Sequence, residues 1–186
     1  MYIERSIDAL LLEWKNSRNL KPLLLRGARQ VGKSCAVKHL GESFDHFIEV
    51  NFEKRPDMEE VFEKVHDVHE LANSLGILYN KPVEPGKTLI FLDEIQACLA
   101  AIKSLWSFKE DFPGLHVIAA GSLLEFALKE LPSFGVERIR SLFVYPFSFD
   151  EFLIAEGKSS WVKAKKEASS NKPLLTALHN DLVQHY

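Results

Sequence analysis

Gly27, Gly32, Lys33 and Ser34, within "RGARQVGKS", occupy every fixed place of the pattern G-x-x-x-x-G-K-[ST]. Glycine loses the most backbone freedom on ordering, so a simple turn does not account for this pair around Ala28, Arg29, Gln30 and Val31. A phosphate does. Successive N–H groups of such a loop form a concave anion site, and the next helix points its positive end at the same place. Lys33 then reaches the β- and γ-phosphates and the Ser34 hydroxyl ligates Mg²⁺. Gly27 through Cys35 is thus the nucleotide-contacting run, with Arg29 and Gln30 inside the loop facing phosphates or a neighbouring element. Cys35 itself reads as a small buried residue in the first helical turn.

A second group of residues should supply acids. "TLIFLDE" is an apolar strand ending in Asp93 and Glu94. Asp93 is placed to hold the metal ion's water shell and Glu94 to polarise an attacking water. "VIAAGS" ends another apolar run in Ser122. If that strand lies between the two motif strands, Ser122 faces the γ-phosphate or the water. It is equally suited to N-cap a helix beginning at Leu123, and both roles stay open.

The elements that position these groups alternate strand with helix, the pattern of a parallel sheet. A helix with Ile3, Ile7, Leu10, Leu11 and Trp14 on one face precedes strand Pro22–Leu25, the loop, and a helix ending near Gly41. Strand His46–Phe52, helix Pro56–His69, strand Thr88–Glu94 and helix Ile95–Lys109 follow. Strand Leu115–Ser122, helix Leu123–Glu130, strand Ser141–Phe147 and helix Phe149–Ala155 complete the series. After Gly157 the composition turns polar and lysine-rich. The last stretch, "LLTALHNDLVQHY", reads as a helix still in progress, as in a piece of a longer protein.

Bulk properties exclude little. The 186 residues carry 46% hydrophobic side chains and a net charge of −3, a balance that does not favour nucleic acid or an anionic membrane. The stretch "MYIERSIDALLLEWK" reads as neither a secretory signal nor an anchor, and no run approaches the length of an apolar membrane span. Two cysteines without metal or disulfide spacing fit a reducing, cytoplasmic setting. His66 and His69 read as a solvated helix face. Lys163, Lys165 and Lys166 read as exposed, with nucleic-acid contact left open.

These motifs resemble those of the AAA+-like P-loop ATPases, and more narrowly a prokaryotic family of predicted ATPases that joins this domain to a poorly characterised C-terminal one. The resemblance rests on "LLLRGARQVGKS", "NFE" (Asn51–Glu53), "LIFLDEIQ" (Leu89–Gln96), "AAGSLLEF" and "ERIRSLFVYPFSFDEFL". It implies an α/β three-layer sandwich whose five-stranded parallel sheet runs in the order 5-1-4-3-2, with ATP and Mg²⁺ at its carboxyl edge. Residues 1–157 would form the ATP-binding domain and 158–186 the start of a helical lid or linker. The family's arginine before the last strand falls to Arg138 or Arg140, acting on the γ-phosphate in cis or in a neighbour. Tyr2 to Arg5 are candidates to cover the base. The expected activity is Mg²⁺-dependent ATP hydrolysis coupled to conformational change. The competing readings are a slowly hydrolysing switch, a small-molecule phosphotransferase and a nucleic-acid-linked or defence ATPase. Oligomeric state and protein partner stay open.

Overall fold

The computed structural model describes residues 2–122, 138–168 and 173–185. Its centre is a parallel sheet of β1 (Leu23–Arg26), β2 (His46–Asn51), β3 (Thr88–Asp93), β4 (His116–Ala120) and β5 (Arg140–Phe143), in the order β2-β3-β4-β1-β5. This is the expected order, counted from the other edge. The strands are continuous apolar runs because both faces are covered. Leu23, Leu25, Leu89, Phe91, Ile118 and Ala120 turn to one side, against α1 (Ser6–Lys15) and α2 (Lys33–Gly41). Leu24, Ile90, Leu92, Val117 and Ala119 turn to the other, against α3 (Asp57–Lys64), α4 (Val68–Tyr79) and α5 (Leu99–Asp111). Helix, sheet and helix make three layers.

The register brings the site together. Asn51 pairs with Asp93, Asp93 with Ala120, Ala120 with Leu25, and Arg26 with Phe143. The carboxyl ends of all five strands therefore lie along one edge, from which the glycine loop and the acidic residues emerge.

Several boundaries differ from the sequence expectation. The helix expected over Pro56–His69 is two helices. Val65 is extended (φ −102°, ψ 104°), and the Asp67 carboxylate accepts from the N–H groups of His69 and Glu70 at 2.9 Å, starting α4. The helix expected from Ile95 begins as a 3-10 turn, Ile95–Ala97. Cys98 Sγ then accepts from Ala101 N at 3.3 Å and opens α5. The strand expected over Ser141–Phe147 ends at Phe143, which pairs with Arg26 where β1 also ends; Pro146, three residues on, has no N–H to extend a ladder. The helix expected over Leu123–Glu130 lies outside the described residues.

The chain separates into two compact units, Ile7–Tyr145 and Met1–Ser6 with Pro146–Tyr186. In the second, Leu153 of α6 (Phe149–Ala155), Val162 of α7 (Ser159–Glu167) and Leu182 of α8 (Thr176–His185) form a small apolar cluster, joined by Phe149, Trp161, Leu174 and Leu178. No helix among the described residues is long and apolar enough to cross a membrane.

Candidate functional site

The glycine loop has the backbone that its sequence requires. Gly27 has φ 143°, and a Cβ there would lie 2.2 Å from the Val144 carbonyl oxygen. That carbonyl is fixed because Val144 N donates to Arg26 O at 2.8 Å as β5 ends. Gly32 (φ 90°) lies in the left-handed region just before α2, and Gln30 (φ 65°) is there too despite its side chain. The first N–H groups of α2 have no acceptor inside the helix, and they adjoin this loop. Lys33 is buried, and its Nζ donates to the carbonyls of Gly27 at 2.9 Å and Ala28 at 2.8 Å. Burial lowers its pKa, while the carboxylates of Glu94 and Asp93 pull it back up. Two acids and one ammonium thus share a field at the loop.

Ser34 Oγ donates to both carboxylate oxygens of Asp93 at 3.1 Å. Asn51 Nδ2 donates to the same carboxylate at 2.9 Å, as the pairing of β2 with β3 dictates. Burial raises the Asp93 pKa, and the Ser34 and Asn51 hydrogen bonds act against that. A hydroxyl and a carboxylate in contact are the hard oxygen donors that Mg²⁺ takes. Glu94 follows in a left-handed conformation (φ 51°, ψ 42°), rare for a side chain of this kind. Its Oε2 accepts from Gln96 Nε2 at 2.7 Å.

The structure thus brings Gly27, Gly32, Lys33, Ser34, Asp93 and Glu94 to one edge of the sheet. Ser122 lies just beyond the end of β4, the strand between β1 and β3. Ala28, Arg29 and Gln30 are exposed, while Val31 packs against the α1–α2 face. Cys35 is exposed, where the sequence leads one to expect a buried residue. The buried face of α2 is set by Lys33, Ala36, Val37 and Leu40, and Cys35 is rotated off it.

Arg138 and Arg140 are not brought to the loop. Arg140 pairs with Leu23 while Phe143 pairs with Arg26, so Arg140 lies three residues, about 10 Å, below the carboxyl edge. Its guanidinium donates to Glu13 at 2.8 Å. Arg138 pairs with Glu110 at 3.3 Å and lies over the Trp106 ring. The described residues contain no cluster of three metal-ligating side chains that includes His66 or His69, and His69 packs against Phe112 with ring centroids 4.4 Å apart.

Asn51 in "NFE" and Gln96 in "LIFLDEIQ" have no role assigned by the sequence, and Val144 has none either. A polar residue closing an apolar strand was the available signal for Asn51. For Val144 there was none, because its carbonyl matters only through the pairing of β5 with β1.

A parallel sheet whose first strand feeds a glycine loop, with a strand two places along that leads into two acids at the same edge, defines a P-loop nucleotide-binding protein. The chain belongs to the AAA domain family, whose model matches residues 19–153, and that family binds ATP. Of the 104 chains of solved structures that match, one is from the structure of Drosophila ORC bound to DNA. It has 17% sequence identity and a TM-score of 0.52, over 86% of this chain and 47% of that one. This chain therefore spans about half the length of that relative, and the likeness is one of fold. No curated protein matches.

Proposed function

We propose that this chain is the Mg²⁺-dependent, ATP-hydrolysing domain of an AAA protein and that it couples hydrolysis to conformational change. The observation that carries the reading is the Ser34–Asp93 hydrogen bond, which joins the loop's hydroxyl to the acid of β3 with Lys33 and Glu94 alongside. Ser34 and Asp93 would hold Mg²⁺, which when bound neutralises phosphate charge. The loop N–H groups and Lys33 bind and orient the β- and γ-phosphates. Glu94 takes the proton of the attacking water, and Ser122 hydrogen-bonds at the γ-phosphate. Arg138 or Arg140 serves a neighbouring copy, since in cis both lie toward the other end of β5.

Residues 1–157 form the ATP-binding domain in this reading, and 158–186 begin a lid or linker in a cytoplasmic protein. The Drosophila relative was solved bound to DNA; a net charge of −3 does not support the same partner here.

The test is steady-state ATP hydrolysis by the wild type, Lys33→Ala and Glu94→Gln, each with and without duplex DNA. Lys33→Ala should lose nucleotide binding. Glu94→Gln should bind ATP yet hydrolyse it about a hundredfold or more slowly. A wild-type rate no faster than that of Glu94→Gln would leave a nucleotide-dependent switch in place of an ATPase. DNA should leave the rate unchanged.

A further inference from the structure

The motif "DEIQ" contains a residue that the site so far leaves without a task. We infer that Gln96 is a positioning residue, whose side-chain amide aims the Glu94 carboxylate at the attacking water. This rests on the reading of Glu94 as the proton acceptor.

The backbone prepares the contact. β3 ends at Asp93, and Glu94 turns left-handed (φ 51°, ψ 42°). The Glu94 carbonyl accepts from Ala97 N at 3.0 Å. This closes a single tight turn, so residue 96 comes back beside residue 94 instead of running on with the strand. Ile95, fully buried in the core on the α3–α5 side, pins the turn from within. A left-handed conformation at a residue with a side chain is strained and persists only where the surroundings impose it. Here the strain gives the Glu94 carboxylate a neighbour.

The chemistry of Gln96 is directed at that neighbour. Its Nε2 donates to Glu94 Oε2 at 2.7 Å. The opposite amide orientation would set an acceptor against a carboxylate, so the hydrogen-bond network fixes which end faces Glu94. The other end, Oε1, is buried with no hydrogen-bond partner among the described residues. Most buried side-chain polar atoms are hydrogen-bonded; this glutamine leaves its acceptor unpaired while its donor holds a single oxygen of Glu94. The bond restricts the carboxylate's rotation and leaves its second oxygen for the water.

The experiment compares Gln96→Leu, which keeps the volume and removes the donor, with Gln96→Asn, which keeps the amide on a shorter stem. Hydrolysis rates are read with kcat and KM separated. Affinity for a fluorescent ATP analogue is measured alongside, as is thermal unfolding. Misaimed catalytic groups cost up to about a hundredfold. Gln96→Leu should therefore lose about ten- to a hundredfold in kcat, with KM and analogue affinity within about twofold, and Gln96→Asn should recover part of the loss.

A second readout needs no turnover. The side-chain amide resonances of Gln96 should exchange slowly with water in the wild type and rapidly in Glu94→Ala, with no nucleotide added. Wild-type kcat in Gln96→Leu, beside a disabled Glu94→Gln, would overturn the positioning role and leave the ATPase reading intact. Absence of hydrolysis in the wild type would sink that reading instead, and slow Gln96 amide exchange unaffected by Glu94→Ala would sink the contact itself. A variant that loses kcat only in proportion to its loss of folded protein also counts against the proposal.

Discussion

The Ser34 hydroxyl and the Asp93 carboxylate, 59 residues apart in sequence, meet in a two-armed hydrogen bond of 3.1 Å per arm. One stands in the first turn of α2 and the other closes β3. Their meeting is imposed by β4, which lies between β1 and β3 and pairs Ala120 with both Leu25 and Asp93. If this pair is the metal site, Mg²⁺ should tighten binding of an ATP analogue to the wild type. In Ser34→Ala and Asp93→Asn that gain should shrink by at least about tenfold. Titrations in Mg²⁺ and in EDTA measure it, and full retention of the gain in both variants would place the metal elsewhere.

Gly27 makes a prediction about stability. Alanine there must adopt φ 143° and bring its Cβ to 2.2 Å from the Val144 carbonyl oxygen. The obstacle is backbone, held by the 2.8 Å bond from Val144 N to Arg26 O, so no side chain can swing away to make room. Gly27→Ala should destabilise the fold by about 3 kcal/mol, measured by urea denaturation. A loss below about 1 kcal/mol would mean that β5 gives way easily.

How far the sequence could be read depends on the range of each interaction. The apolar runs of β1, β3 and β4 were visible because a strand covered on both faces carries no alternation, and the loop motif is fully local. The exposure of Cys35 is local too, since Ala36, Val37 and Leu40 define a helix face that excludes it. The break between α3 and α4 depends on Asp67 capping two particular N–H groups, within a stretch whose apolar spacing continues across it. The arginines show the deeper limit. A motif places Arg138 and Arg140 before the last strand, but the register with β1 decides which end of the sheet they reach.

His116 predicts a dependence on pH. Its ring lies edge-on to Trp14 and Phe44, with centroids 5.4 Å and 4.9 Å away. Its Nε2 lies 3.0 Å from the Lys15 carbonyl, which can only accept, so Nε2 carries the proton. Nδ1 is buried with no partner among the described residues. Burial lowers the pKa from 6.5, outweighing the bond to Lys15. With the folded-state value depressed, the unfolded chain takes up the proton first as pH falls. The contribution is present above pH 6.5 and declines below it by up to about 1.4 kcal/mol per pH unit until the folded form protonates. The denaturation midpoint of the wild type should fall relative to that of His116→Phe as pH drops below 6.5. Parallel curves would show that His116 protonates equally well in the folded protein.

Glu151, in the unit formed by Met1–Ser6 and Pro146–Tyr186, predicts the opposite window. Its carboxylate closes a capping box with Ser148 at the start of α6. It also accepts from Ser6 N and Ser6 Oγ at 2.9 Å and from Arg5 at 3.3 Å. Burial alone would raise its pKa, but the N–H groups of Ser148 and Ser6, the Ser6 hydroxyl and the Arg5 guanidinium outweigh it and bring the carboxyl from 4.5 to about 2. A depressed carboxylate contributes stability above its unfolded value and loses it as pH falls toward the folded one. The contribution is thus complete above about pH 4.5 and gone near pH 2, up to about 3 kcal/mol at neutral pH. Glu151→Gln should lower protection of the α6 amides against hydrogen exchange by a matching amount at pH 6, and the gap to wild type should close as pH falls from about 4.5 to 2. A gap that stayed constant across that interval would assign the loss to packing and not to the charge.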